Sequence, residues 1–435
     1  MAQERCLTPE ALLCQRVSAA SIRALAKQVE FTQRKRKVDP VCFLLSVVFT
    51  VGEASGACLA AIRRHFSLSG LIQLARSSLW KRFSRAFYRV MHGVIRQVEQ
   101  HAQSHPPASR GLLGPFADVV AFDCTVLALP KALCTLWPAT RQHMEAACKV
   151  LTAVRAVTGE LLSHFIVAER TSDHRFIQVI RFQPGVLYLF DLGFVSGFAW
   201  RVIQHARAYF VSRMPTSCQP VITNVYGPSV SKHATGKRLK DIAPQIRHHP
   251  MDVQATFTVR KPGSDVVVGT VSCRVVGVWN PRTKRHQYFV TNIPVDWMTG
   301  LLCAQLYRLR WEVETFYKVG KSGLGLGDIR TTRPHVIRTL IEAALLRSTL
   351  TLTARTIAEG TLPIGTWINP SAWAHVFRQL FAPLFRRLTT SAHRSPMRTA
   401  LSWRHLAALA MDPNRHRMPM RIQCLQQQPQ GYSMA

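Results

Sequence analysis

Residues 307–321 read YRLRWEVETFYKVGK. Tyr307, Arg310, Glu314 and Lys321 fall at steps of three, four and seven. At about 100° per residue, the pitch of an α-helix, all four lie within roughly 60° of one another, whereas Glu312 points about 140° away. One helix face therefore carries a phenol, two cations and a single carboxylate. A core face would be apolar, and a salt-bridged surface would alternate in sign at i, i+4. The spacing predicts one long helix from about Leu301 to Lys321 with a charged, inward-looking stripe.

Working back along the chain, two apolar runs each hold one acid. Asp123 lies inside VVAFDCTVL, read as a buried strand, where an unpaired carboxylate is costly. Asp191 ends VLYLFD just before Gly193, and ligand groups collect at the carboxyl ends of strands in α/β sheets. An Asp after a strand also serves as a cap. Taken together, two strand acids and one helix acid in a basic chain could hold two Mg²⁺ ions through hard oxygen ligands. Paired metals of that kind activate an attacking oxygen and stabilise a leaving oxygen at phosphorus.

Charge supports that chemistry. Among 435 residues, 56 Lys and Arg face 23 Asp and Glu, a formal charge of +33. No fold needs such an excess, which points to a polyanionic partner, nucleic acid first and an anionic membrane surface second. The most apolar early stretch, VCFLLSVVFTVG at 41–52, falls short of the ~20 residues of a spanning helix and is expected to be a buried helix. Eleven cysteines without a CxxC pair fit neither a disulfide framework nor a zinc finger, and are expected to be reduced thiols in a cytoplasm.

The periodicity divides the chain. Residues 1–109 read as basic helices, with Arg76, Lys81, Arg82, Arg85 and Arg89 interleaved with Phe83, Phe87 and Tyr88, and His101–Pro115 reads as a linker. Residues 110–350 form the expected catalytic domain, in the order strand, strand, strand, short helix, strand, with Thr158-Gly159 as a hairpin turn. About 215–294 reads as an all-β insertion with Pro-Gly-Ser and Asn-Pro turns, and 351–435 as a basic helical region with a disordered tail. The fold class is mixed α+β and α/β.

At this point the motifs carry a resemblance. Y-x2-R-x3-E-x6-K is the signature of transposases of the insertion sequence 4 family, and AFDCTVLAL and YLFDLGF resemble that family's first-Asp and second-Asp strands. YFVTNIP at 288–294 is similar to its strand leading into the Glu helix, and FTQRKRKVDPVCFLLSVVF and SSLWKRF resemble its N-terminal region. The resemblance spans about Phe31 to Leu350. It implies a ribonuclease-H-like core with a DDE triad of Asp123, Asp191 and Glu314, two Mg²⁺ ions with Mn²⁺ as substitute, and Tyr307, Arg310 and Lys321 on the transposon-end phosphates. It further implies hydrolysis at an element end, attack by the freed 3′-OH, a hairpin intermediate and joining to target DNA. Its partners would be double-stranded DNA and a second copy in a synaptic homodimer, with no membrane, on the bacterial nucleoid in the cytoplasm. Cys124, where Gly or Ser is common, and Tyr317, where Phe is common, depart from the pattern. Trp279, beside Asn280-Pro281, is the candidate ring for a flipped base; it could equally be β-core packing. Two other functions use the same parts: a catalytically silent DNA-binding repressor, and a ribonuclease-H-like nuclease without strand transfer.

Overall fold

In the computed structural model a nine-stranded sheet runs in the order β3-β2-β1-β4-β5-β9-β8-β7-β6. The structure describes residues 16–33, 38–51, 59–70, 73–107, 110–140, 144–194, 196–215, 218–246, 248–324, 329, 331–363, 366–379, 403–412 and 419–426, with the backbone alone at 68–70, 174, 320–324, 420 and 426. Helices α1 (Ala19–Gln28), α2 (Pro40–Thr50), α3 (Leu59–Gly70), α4 (Arg76–Arg82) and α5 (Arg85–Ser104) precede the sheet. Strands β1 (Val119–Leu129), β2 (Ala146–Arg155), β3 (Leu161–Ala168) and β4 (Leu187–Phe190) lead to helix α6 (Gly197–His205) and β5 (Tyr209–Arg213). Then come β6 (Val221–Val225), β7 (Met251–Arg260), β8 (Val267–Asn280) and β9 (Arg285–Thr291). The chain closes with helices α7 (Gly300–Leu306), α8 (Trp311–Leu324), α9 (Pro334–Glu359), α10 (Pro370–Gln379), α11 (Trp403–Ala408) and α12 (Met420–Gln426).

Strands β1, β2 and β3 are antiparallel, joined between β2 and β3 by the expected turn at Gly159. Gly159 has φ +73°, and a Cβ there would lie 2.6 Å from that of Leu352, so side-chain sterics and φ both demand glycine. Strands β1, β4 and β5 are parallel, and α6 makes the crossover from β4 to β5. Neither α6 nor β5 was evident in the sequence.

Because successive side chains point to opposite faces of a sheet, residues two apart share a face. Val119, Ala121, Leu187, Leu189 and Val211 face one core, shared with α2, α5, α8 and α9. Val120, Phe122, Tyr188, Phe190 and Phe210 face a second core against α6. Both faces are covered, which explains why β1 and β4 read as continuous apolar runs.

Helix α2 is the apolar early stretch, and every one of its residues is buried. Asp39 caps it by accepting from the Val41 and Cys42 amides, and Pro40 occupies the first turn, where its missing N–H is not needed. Among the described residues no helix is long and apolar enough to cross a membrane. The stretch read as a linker is largely ordered: α5 runs through Ser104, and Leu112, Leu113 and Phe116 are buried in the first core. The basic run Gln33–Lys37 falls almost wholly outside the described residues, as does most of the chain after 379.

The 215–294 stretch contains the antiparallel strands β6–β9 and two short helical turns, Lys232–Ala234 and Leu239–Ile242. It is not a detached unit. Its last strand pairs with β5, Val211 opposite Thr291 and Arg213 opposite Phe289, so the meander lengthens the central sheet.

Candidate active site

The parallel register places Val119 beside Leu187 and Ala121 beside Leu189. Two residues further on in each chain segment, Asp123 continues β1 and Asp191 directly follows β4. Both continue the row of Val119, Ala121, Leu187 and Leu189, so both face the core that α8 covers. Helix α8 is anchored there by Val313 and Phe316, each fully buried.

The expected long helix is broken into three parts. Residues Tyr307–Arg310 form a 3₁₀ turn between α7 and α8. With three residues per turn, side chains at i and i+3 eclipse, so Tyr307 and Arg310 stand in line. Glu314 follows one α-helical turn later. The Y-x2-R-x3-E spacing is thus matched by one 3₁₀ turn followed by one α turn.

These elements bring two carboxylates onto one cation and a third onto the neighbouring phenol. Arg310 donates through Nη1 to Asp123 Oδ2 at 3.4 Å and through Nη2 to Glu314 Oε1 at 2.5 Å. Tyr307 Oη donates to Asp191 Oδ1 at 3.2 Å. Arg310 is 9% exposed in its side chain and Glu314 36%, so the cation is sunk beneath a carboxylate that reaches solvent. Burial raises the Asp123 carboxyl to about 6; the Cys124 amide and Arg310 lower it, while Asp191 and Glu314 raise it again. Burial likewise pushes the Tyr307 hydroxyl well up, leaving it a neutral donor.

The arrangement is fixed from below. Tyr317 Oη lies 2.9 Å from the Asp123 carbonyl and 3.0 Å from that of Val150, and accepts from Thr152 Oγ1 at 2.8 Å. The phenol thereby ties α8 to the backbone of the first acid. Tyr317→Phe is expected to lower stability by about 1 kcal/mol, the usual net value of one buried hydrogen bond. Urea unfolding of the two proteins measures it, and equal midpoints would detach the hydroxyl from the frame. Lys149 Nζ donates to Asp173 Oδ1 at 2.7 Å, and Cys124 Sγ lies 3.6 Å from the same oxygen. Asp173 precedes the one-turn helix His174–Ile177 but makes no side-chain cap bond, so its partner is Lys149 rather than the helix. Gly193 faces Asp173 Oδ2, which would sit 2.7 Å from an added Cβ.

Glu312 points away, as expected. It accepts from Arg355 at 3.1 Å and forms an ion pair with Arg421 at 3.4 Å, linking α8 to α9 and α12. Lys321 lies on the α8 backbone, but its side chain falls outside the described residues. Trp279 is not in contact with the acids. It is half-buried between His248, at 4.6 Å between ring centroids, and His286, at 5.1 Å. Strand β8 runs parallel to β4 three places across the sheet, so Trp279 lies beyond the same sheet edge as Asp191, roughly 17 Å from it by strand spacing and rise. Trp311 went unnoticed in the sequence. It is 60% exposed, and the Arg310 guanidinium lies 5.9 Å from its ring. Its signal was an aromatic ring on a helix whose buried face is already filled by Val313, Phe316 and Tyr317.

Three carboxylates gathered near one guanidinium offer the hard oxygens that a divalent cation takes. Arg310 pairs with two of them here, and burial holds the Asp123 carboxyl up at about 6.

Comparison with known proteins gives a consistent result. The model of the transposase DDE domain matches residues 114–350. The chain is 22% identical over 400 residues to the transposase for insertion sequence element IS231F of Bacillus thuringiensis subsp. israelensis, covering 80% of this chain and 78% of that one. It is 21% identical over 377 residues to the transposase for insertion sequence element IS1151 of Clostridium perfringens, covering 77% and 79%. Among solved structures, a piggyBac transposase synaptic complex with hairpin DNA aligns over 91% of this chain and 84% of that one, at 10% identity and a TM-score of 0.49.

Proposed function

The chain belongs to the transposase DDE domain family, and from that premise we propose that it binds the ends of an insertion sequence and cuts and joins DNA there. The observation that carries the proposal is the meeting of Asp123 and Glu314 on Arg310, with Asp191 held beside them by Tyr307. These carboxylates are the proposed holders of Mg²⁺, which when bound would neutralise charge at phosphorus and favour attack by water or a 3′-OH. The rest is positioning, which dominates phosphoryl transfer. A ribonuclease-H-like core is supported by the three antiparallel strands followed by two parallel ones. Membership of the insertion sequence 4 group rests on the four-residue signature.

Arg310 has two tasks in this reading. In the absence of DNA it neutralises the acids. With DNA it turns to an end phosphate, and Tyr307 and Lys321 flank it. Arg310→Ala is expected to reduce the log–log salt slope of end binding by about 0.9, the value of one phosphate contact. Titrations at several salt concentrations measure it; an unchanged slope places Arg310 away from the DNA. Trp311 and Trp279 are proposed stacking surfaces for unpaired bases. Synapsis of two ends calls for a homodimer, acting on nucleoid DNA in a bacterial cytoplasm.

The test is a plasmid carrying the element ends, incubated with purified protein and Mg²⁺ or Mn²⁺. Release of the element and its joining to a second plasmid support the proposal. Binding without cleavage indicates a silent repressor, and cleavage without joining indicates a simple nuclease.

A further inference from the structure

Away from the triad, a second group of potential ligands gathers where α5, β3 and α9 meet. Among the described residues, the metal-ligating atoms that lie within 4.8 Å of one another belong to His92, His164 and Glu342. His92 Nδ1 is 2.8 Å from Glu342 Oε1, and His164 Nε2 is 3.4 Å from the same oxygen. Glu99, two turns beyond His92 on α5, lies 2.6 Å from His164 Nδ1 and accepts from Arg96 Nη1 at 2.8 Å.

Three observations favour a cation over a plain hydrogen-bond network. The Glu99 contact assigns the proton to His164 Nδ1, leaving Nε2 aimed at Glu342. A carboxylate behind a histidine in this way is the usual arrangement for orienting a metal-binding imidazole. The 3.4 Å between Nε2 and the carboxylate is long for a charge-assisted bond, which runs about 2.7–2.9 Å. It matches the edge of a tetrahedron, since ligands about 2.0–2.1 Å from a common zinc lie roughly 3.3–3.4 Å apart; the half-exposed His92 ring, at 2.8 Å from the same oxygen, would have to swing outward to take its place. Finally, Glu342 is 1% exposed, yet its Oε2 is buried with no hydrogen-bond partner. An orphaned carboxylate oxygen in a buried site is costly.

We propose that His92 Nδ1, His164 Nε2 and the Glu342 carboxylate bind one zinc-class divalent ion, distinct from the cation of the catalytic carboxylates. His92 has a side chain 47% exposed, so the fourth position opens to water on that side. The ion would fasten the N-terminal helix α5 to strand β3 and to the long helix α9.

The test uses the full-length protein stripped with a chelator and titrated with Co²⁺. A tetrahedral site of two nitrogens and oxygen gives intense visible bands, whereas an octahedral carboxylate site gives faint ones. One equivalent of intense absorption, removed by stoichiometric Zn²⁺, is expected in the wild type and in Asp123→Asn. His92→Ala changes a half-exposed side chain and should fold, as circular dichroism can verify; its cobalt affinity should fall at least about 100-fold. Glu99→Gln, which removes the charge behind His164 and its pairing with Arg96 but none of the three ligands, should weaken binding about 10–100-fold. No intense bands in the wild type, or bands unchanged in His92→Ala, would overturn the proposal and leave a buried ion network. Loss of the bands in Asp123→Asn would also overturn it, by assigning the cobalt to the triad.

Discussion

Asp123→Asn, Asp191→Asn and Glu314→Gln should each lower cleavage of element-end DNA by on the order of 10³-fold, the scale seen when a group acting on transition-state charge is removed. Each substitution keeps the shape of the side chain and removes only its charge. Asp123 lies on β1, Asp191 directly follows the neighbouring parallel strand β4, and Glu314 meets Asp123 across Arg310, so none can substitute for another from its own element. End binding should survive or strengthen, because an acid is being taken from a surface that meets phosphates. Gel shifts at fixed salt, run beside cleavage in Mg²⁺ and Mn²⁺, measure both. Near-normal cleavage in any one variant would remove that residue from the triad. Loss of binding and cleavage together would point to misfolding instead.

Arg155→Leu is expected to cost about 3–5 kcal/mol of stability, the range for removing one partner of a buried ion pair. The Arg155 side chain is 1% exposed and sits at the end of β2. Its Nε donates to Asp118 Oδ2 at 2.8 Å, its Nη1 to Glu160, and its Nη2 to the Ala102 carbonyl of α5 at 2.8 Å. Leucine fills much of the space but leaves buried Asp118 without its cation, while Glu160 keeps Arg16 at 3.2 Å. Burial already raises the Asp118 carboxyl despite that cation, so the carboxylate is poorly placed to stand alone. Urea unfolding should show the midpoint fall, and adding Asp118→Asn should recover part of the loss, since residues in one network do not act additively. A loss below about 1 kcal/mol would mean that solvent reaches the acids when Arg155 is removed, as at an exposed ion pair.

The proposed triad stood out because two of its acids break an apolar pattern. Asp123 interrupts a buried strand and Asp191 ends one. Helix α2 and the Gly159 turn were legible for the same local reason. The 3₁₀ turn at Tyr307–Arg310 was not, because periods of 3.0 and 3.6 cannot be separated over four residues. Reading His101–Pro115 as a linker took the polar side of α5's last turn for a loop, while Leu112 and Leu113 were already turned into the core. Arg310 and Tyr307 showed as cations and phenol for DNA, but nothing in their spacing told that they would bind the acids themselves. The His92, His164 and Glu342 cluster had no local pattern at all. Its members are separated by as much as 250 positions, and they meet only once a helix, an edge strand and a second helix have packed.

The continuity of the sheet has a mechanical consequence. Strand β9 is hydrogen-bonded to β5, and β5 to β4, whose last residue precedes Asp191. No hinge separates the long β7–β8 hairpin from the strand that carries the second acid. A load applied at the far end of that hairpin, such as bent DNA pressing on it, is carried as on a lever through rows of backbone bonds. The amides of β4, β5, β8 and β9 should therefore exchange with deuterium as a single cooperative unit. Bound DNA that slows exchange at β8 should slow it at β4 by a comparable factor.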